Sequence, residues 1–308
     1  MTAIVHPSVT TVIATRGRGE LLRRAVRSIA AQDYAGSLEI VVVYDQSEID
    51  ELTDIRPDLG SVTLVTCANE RSPGLAGGRN TGIARASGEL VAFCDDDDEW
   101  APQKLSEQVA LWSEHPDAVM VSSGITIITR DDSVTRTPPS RVSRADLLRS
   151  RVGELHPSSF LFRRDDLLAL PHGVDESIPF SYGEDYDLLL RVTEGGDILS
   201  VENPLVLVHW DRDSYFAGRW EPMARGLAFL LGKHRDLAHD DDNAARMYGQ
   251  VAFAFAAAGS RSEGWSWARR ALGRKVTEPR GWLALAVLAR LSSPQRVVEV
   301  LNSRGRGI

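Results

Sequence analysis

Four short, continuous apolar runs constrain this chain most. Val9 to Ala14, Glu39 to Tyr44, Val62 to Thr66 and Leu90 to Cys94 are rich in β-branched residues and too short for buried helices. Between the first two lies Leu21 to Ala31, where Leu22, Val26 and Ile29 fall at helical spacing. Between the last two lies Pro73 to Ala86, a glycine-rich turn that feeds a helix. Apolar runs without alternation are buried on both faces, which predicts a parallel sheet. Strands alternating with helices predict an α/β, doubly wound nucleotide-binding unit, whose ligands sit outside the carboxyl ends of the strands. Thr15-Arg16, Asp45 and the run Asp95-Asp96-Asp97-Asp98 occupy such ends.

The acidic run admits two readings. Adjacent carboxylates repel one another unless water or a bound cation neutralises them, which points to a metal site. Asp residues shortly before Ala101-Pro102 also suit the start of a helix, where carboxylates meet its positive end.

Past this run the pattern changes. A helix is expected at Gln103 to His115, a strand at Ala118 to Thr129, and a turn through Arg130-Asp131-Asp132-Ser133. Ser133 to Ser143, polar and containing Pro138-Pro139, is expected as a mobile loop, followed by a short helix at Arg144 to Arg151. Ser158 to Arg163 is a strand candidate, and Tyr182 to Val192 a helix with Glu184 and Asp185 in its first turn. Pro204 to Trp210 is the last strand expected, with His209 at its end. Beyond about Tyr215 the chain turns to Ala, Leu, Arg and Trp, with helical windows at Glu221 to His234, Asn243 to Ala258, Glu263 to Leu272 and Pro279 to Leu291. These windows show no fixed repeat.

With 308 residues the chain is long enough for one large domain and an appendage. A net charge of -8 argues against nonspecific nucleic-acid binding, which needs a basic surface. Cys67 and Cys94 both sit in apolar runs and are expected as buried thiols. No charged start with a long apolar stretch opens the chain, and no run reaches the about 18 apolar residues of a membrane span. A cytoplasmic protein is expected, with the helical tail offering a surface for peripheral membrane contact.

Taken in order, Thr15-Arg16, Asp45, Gly77-Gly78-Arg79-Asn80, Asp95 to Asp98 and Gly183-Glu184-Asp185 resemble the motifs of a family 2 glycosyltransferase of GT-A fold. The resemblance spans Ser8 to Trp210 and rests on several motifs together. Where the family commonly shows Ala-Arg-Asn, this chain has Gly78-Arg79-Asn80. The resemblance implies a mixed sheet flanked by helices over residues 1–214, with a nucleotide half at about 8–100 and an acceptor half at about 101–214. An all-helical extension would occupy 215–308.

It further implies that Asp95 and Asp97 hold Mn²⁺ or Mg²⁺ against the donor diphosphate, with Asp98 leaving the register of the Asp-x-Asp open. His209 is either a third ligand or a structural histidine. Thr15, Arg16, Asp45, Asn80 and Asp96 would contact the nucleotide, and Arg79 would pair either with phosphate or with the acidic run. Asp185 would be the base that takes the acceptor proton, with Glu184 orienting it or the acceptor. Tyr182, His156 and Trp210 would either line an acceptor pocket or pack in the core.

The function implied is metal-dependent inverting transfer of a sugar from a UDP-, dTDP- or GDP-type donor to a sugar, lipid-linked or small-molecule acceptor. Two alternatives stay open: a sugar-phosphate nucleotidyltransferase, which would release pyrophosphate, and a degenerate sugar-nucleotide-binding protein, which would bind without turnover.

Overall fold

The computed structural model describes residues 6–130, 132–210 and 219–302. The chain forms two compact units, one of Met1–Glu176 with Glu184–Arg212 and the other of Ser177–Gly183 with Asp213–Ile308. Asp131 and the expected boundary at 214/215 lie outside the described residues.

In the first unit, β1 (Val9–Thr15), β2 (Leu38–Tyr44), β3 (Thr63–Ala68) and β4 (Leu90–Phe93) are the four apolar runs. They lie in the order β3-β2-β1-β4, all parallel, with Val12 opposite Val41 on one side and Phe93 on the other. Ile13, Val42 and Phe93 are wholly or almost wholly buried, and each such side chain contributes about 1.5–3 kcal/mol relative to exposure. The helix α1 (Gly19–Ala30) buries Leu22, Ala25, Val26 and Ile29, the stripe its periodicity predicts.

The glycine-rich segment behaves differently from a simple turn. Gly77, Gly78 and Gly82 lie inside α2 (Leu75–Arg85), and a Cβ on Gly82 would come within 2.2 Å of Val12 Cγ1. Glycine therefore lets the helix backbone lie against β1. The turn itself is made at Gly74, whose φ of 118° favours glycine.

The second half of this unit contains β5 (Glu99–Trp100), α3 (Lys104–Glu114), β6 (Met120–Ile128), β7 (Ser133–Arg136), β8 (Arg141–Val142), α4 (Arg144–Arg149), β9 (Leu161–Arg163), α5 (Arg164–Ala169), α6 (Glu184–Val192) and β10 (Ile198–His209). The sheet continues from β4 as β9-β6-β10-β5. The short β9 runs antiparallel to both β4 and β6, whereas β6 and β10 are parallel. This is the mixed sheet expected.

Four expectations are corrected. No aspartate of the acidic run caps a helix at Pro102: β5 intervenes, pairing antiparallel with β10, and α3 begins at Lys104 with Gln103 at its N-cap. The segment Ser133 to Ser143 is not a plain loop but contributes β7 to β6 and β8 to β10. Its polarity reflects an exposed edge, since every residue of β7 is exposed. The last strand starts at Ile198 rather than Pro204, with register shifts flanking Pro204 that accommodate its missing N–H. Finally, the helix expected from Tyr182 begins at Glu184.

The second unit is helical: α7 (Trp220–Lys233), α8 (Asp241–Ala257), α9 (Arg261–Arg274), α10 (Pro279–Leu288) and α11 (Pro294–Asn302). The Asp240 side chain caps α8 by accepting from Asn243 N. Ala252, Phe253, Ala256, Ala268, Ala284 and Val287 form a core of mostly small side chains.

Candidate active site

The end of β4 is the focus of the first unit. Asp95 follows this strand directly, and its backbone N–H donates to Ser158 Oγ at 3.0 Å. Ser158 in turn donates its hydroxyl to Asp98 Oδ2 at 2.5 Å, which ties the acidic loop to the segment before β9. His156 lies in that same segment, with Nδ1 3.5 Å from Asp98 Oδ2. Ligand atoms of Asp95, Asp98 and His156 all lie within 4.8 Å of one another. Among the described residues these three, rather than Asp95, Asp97 and His209, converge as a candidate metal centre.

Electrostatics match that geometry. Burial pushes the Asp98 carboxyl well above the usual range, and Asp95 adds repulsion. Burial also raises Asp97, again with Asp95 contributing. Burial lowers His156, outweighing the neighbouring carboxylates, and so favours the neutral imidazole that a metal requires. Two carboxylates and a neutral imidazole, crowded together, fit a divalent cation that accepts oxygen and nitrogen donors.

The other members of the run face elsewhere. Asp96 is buried and accepts the Thr15 hydroxyl at 2.6 Å. Burial pushes its carboxyl up to about 6, against the pull of Thr15 and Arg18. Arg18 Nη1 reaches Asp96 Oδ1 at 3.1 Å and Asp97 Oδ2 at 2.6 Å. Sequence reasoning singled out Arg16, yet Arg16 is exposed and Arg18 holds the run. Between the two arginines stands Gly17, whose positive φ of 68° marks a tight turn that favours glycine.

His209 is likewise redirected. Its Nε2 lies 2.8 Å from Glu99 Oε1, across the β5–β10 pair, and Arg24 Nε shares that carboxylate at 3.0 Å. The imidazole is thus engaged by a sheet contact and is not among the converging ligand atoms.

Arg79 takes the second of its two expected roles. Its guanidinium is almost wholly buried and bridges Asp95 Oδ1 at 2.9 Å to Glu184 Oε1 at 2.5 Å, with the Phe93 ring beneath it at 5.2 Å. It therefore joins the end of β4 to the start of α6. Burial pushes the Glu184 carboxyl up to about 8 in spite of Arg79, and Glu184 Oε2 has no hydrogen-bond partner among the described residues. Next to it, Asp185 Oδ2 accepts from Arg151 Nη2 at 2.5 Å. Burial pushes Asp185 up, but Arg151 and the Tyr186 backbone N–H outweigh it and hold the carboxyl below its usual range.

Asn80 departs from its expected nucleotide role. Its Nδ2 donates to Val174 O and Glu176 Oε1, both at 2.7 Å, and its Oδ1 accepts from Val174 N at 2.8 Å. The amide is fully engaged in pinning the segment after α5, which explains why a polar side chain is buried there.

Asp45 is held at the end of β2 by Asn69 Nδ2 at 2.9 Å, Gly74 N at 3.1 Å and Gln46 Nε2 at 3.1 Å. With Tyr44, Gln46, Asn69, Arg71 and Pro73 it lines an open cleft of about 620 Å³. Aromatic, amide and carboxylate groups around such a cleft offer both stacking and hydrogen-bond acceptors to a planar base. Trp210 is half exposed, with Arg136 5.7 Å from its ring.

The family model described as glycosyl transferase family 2 matches residues 10–170. A UDP-Glc:alpha-D-GlcNAc-diphosphoundecaprenol beta-1,3-glucosyltransferase of Escherichia coli, WfgD, is 29% identical over 185 residues, covering 58% of this chain and 66% of WfgD. An uncharacterized glycosyltransferase of a Nostoc strain, alr2836, is 34% identical over 130 residues, or 40% of this chain and 38% of that relative. The chain thus spans less than two thirds of the length of either relative. Among solved structures, S. aureus TarS in complex with UDP-GlcNAc matches 97% of this chain and 92% of its own at 18% identity, with a TM-score of 0.60. A mannosyltransferase of Pyrobaculum calidifontis, in complex with GDP-Man and Mn²⁺, matches 95% and 83% at 20% identity, with a TM-score of 0.54. These likenesses show a GT-A glycosyltransferase fold. With just over half of its residues in the matched span, the chain belongs to glycosyl transferase family 2.

Proposed function

We propose that this chain is a metal-dependent inverting glycosyltransferase that moves a sugar from a nucleoside diphosphate sugar to an acceptor hydroxyl. The observation that carries the reading is the joining of two acidic centres by Arg79, Asp95 on one side and Glu184 beside Asp185 on the other. One centre suits the donor diphosphate, and the other suits the acceptor proton.

Held by Asp95, Asp98 and His156, a divalent cation would supply the positive charge that balances the departing diphosphate, and the imidazole favours Mn²⁺ over Mg²⁺. Asp45 and its cleft hold the base of the donor. Arg18 keeps Asp96 and Asp97 in place, and Thr15 fixes Asp96. Asp185, kept ionised by Arg151, takes the proton of the acceptor hydroxyl as its oxygen attacks the anomeric carbon. The C–O bond to the diphosphate breaks on the opposite face, so the configuration inverts. Glu184, locked by Arg79, orients the acceptor.

The name of WfgD specifies a UDP-sugar donor and a diphosphoundecaprenol-linked acceptor. A UDP-sugar and a lipid-linked sugar are accordingly the donor and acceptor classes proposed here. No described helix is long and apolar enough to cross a membrane. The test is a panel of UDP-, dTDP- and GDP-sugars with Mn²⁺ and a polyprenyl-diphosphate sugar, following nucleoside diphosphate and pyrophosphate separately. Nucleoside diphosphate release that depends on the acceptor is expected. Pyrophosphate release, or donor binding without turnover, overturns the proposal.

A further inference from the structure

The second unit carries an exposed apolar and cationic face that the transfer chemistry does not use. On α9, Trp265, Arg269 and Leu272 lie at i, i+4 and i+7, one stripe along the helix. Leu272 meets α10 at Gly281, where an added Cβ would come within 2.9 Å of its Cδ2. The neighbouring Trp282 donates its indole N–H to Val276 O at 2.7 Å. Leu272 thus packs on α10, and the exposed Trp282 and Val276 lie together at the turn between the two helices. Trp265, Val276 and Trp282 are 53%, 65% and 53% exposed.

The charge on this hairpin runs against that of the whole chain. From Arg261 to Leu288 six basic residues face two acidic ones, whereas the full chain carries -8. Asp241 and Asp242 of α8 neutralise Arg274 and Lys275. Glu278 takes Arg280. Arg269 has no carboxylate partner among the described residues, and Arg270 stacks over the Trp267 ring at 4.6 Å with none either. Indoles with an apolar body and a polar edge settle at the headgroup level of a bilayer, and guanidinium groups pair with lipid phosphates.

We propose that the α9–α10 hairpin, through Trp265, Arg269, Val276 and Trp282, is a docking surface for an anionic phospholipid bilayer. Exposed indoles give the surface its apolar insertion, and Arg269, with no carboxylate partner among the described residues, makes it selective for negative headgroups. A protein partner could also cover tryptophans, but it would not require the local excess of positive charge in an acidic chain.

The full-length protein is floated with vesicles of phosphatidylcholine alone and of phosphatidylcholine with phosphatidylglycerol, without donor or acceptor, so the outcome is independent of the sugar-transfer proposal. Binding to the anionic vesicles only, with a blue shift of tryptophan emission, is expected. Trp265→Ala with Trp282→Ala should weaken binding about tenfold. Because Trp282→Ala also removes a hydrogen bond, Arg269→Glu serves as a second variant on an exposed position and should weaken binding comparably, with unchanged far-UV circular dichroism. The proposal is overturned if the wild type binds neither vesicle, if Arg269→Glu binds like the wild type, or if the tryptophan variant only dissociates a dimer in size-exclusion chromatography.

Discussion

Arg151 Nη2 lies 2.5 Å from Asp185 Oδ2, an ion pair that keeps the proposed base charged in a partly buried position. The pair joins the segment after α4 to the first turn of α6, and no local sequence pattern links the two. Asp185→Asn should lower turnover by about 10²–10⁴-fold while donor affinity stays near wild type. Arg151→Ala removes the charge that opposes desolvation, so the Asp185 carboxyl rises. The acidic limb of the rate profile should then move to higher pH, with activity lost first on the acid side. Unchanged turnover in Asp185→Asn would refute the role assigned to it.

Arg79 is buried between Glu184 and Asp95. Removing Arg79 leaves the Asp95 carboxylate unpaired and the buried Glu184 carboxyl without its hydrogen-bond donor, and loss of one partner of a buried pair costs about 3–5 kcal/mol. Arg79→Met should lose stability of that order in urea titration, and the double variant Arg79→Met/Glu184→Leu should recover part of it. Additive losses would mean that the two side chains do not act as a pair.

The candidate metal centre separates two histidines. His156→Ala should abolish or strongly weaken Mn²⁺ binding in calorimetry, whereas His209→Ala should bind Mn²⁺ nearly as the wild type does, because its imidazole sits on Glu99. The reverse order of effects would restore His209 to the ligand set.

Lys104 is wholly buried, its ammonium 3.8 Å from the Trp100 ring and 2.8 Å from Gln108 Oε1. Burial pushes it down to about 7, against about 10.5 when the chain is unfolded. Between those values the unfolded state binds the extra proton, so this residue makes stability rise with pH from about 7 to about 10.5, by at most about 1.4 kcal/mol per pH unit. Below pH 7 the cost is present in full and the slope vanishes. Any stability advantage of Lys104→Met should therefore be largest at pH 6 to 7 and shrink toward pH 10. A difference in melting temperature that does not vary with pH would contradict this.

The fold class was legible because burial on both faces leaves a local mark. Runs such as Ile40 to Tyr44 are apolar throughout and short, so strand and parallel pairing follow from the run itself. The polar edge was less legible, since Ser133 to Arg136 has neither face buried and so carries no apolar period. Within the site, the strand ends were readable as positions, but their contacts were not. Arg16 and Arg18 are chemically alike and flank the turn at Gly17, yet of the two it is Arg18 that reaches Asp96 and Asp97. Asn80 sits in the expected motif, yet its partners Val174 and Glu176 are more than ninety residues away.

What the sequence by itself determined is the alternation of strands and helices and the placing of Asp45, the Asp95 to Asp98 run and Asp185 at strand ends or a helix start, because hydrophobic period and turn chemistry act over a few residues. What only the tertiary structure decided is which of several near-identical groups come together: Asp98 and His156 beside Asp95, His209 on Glu99, and Arg79 as a bridge. Those choices depend on where a side chain points and on what the sheet brings opposite it. Four adjacent carboxylates can be read as one motif, but a buried charge is settled only by the partner the fold supplies.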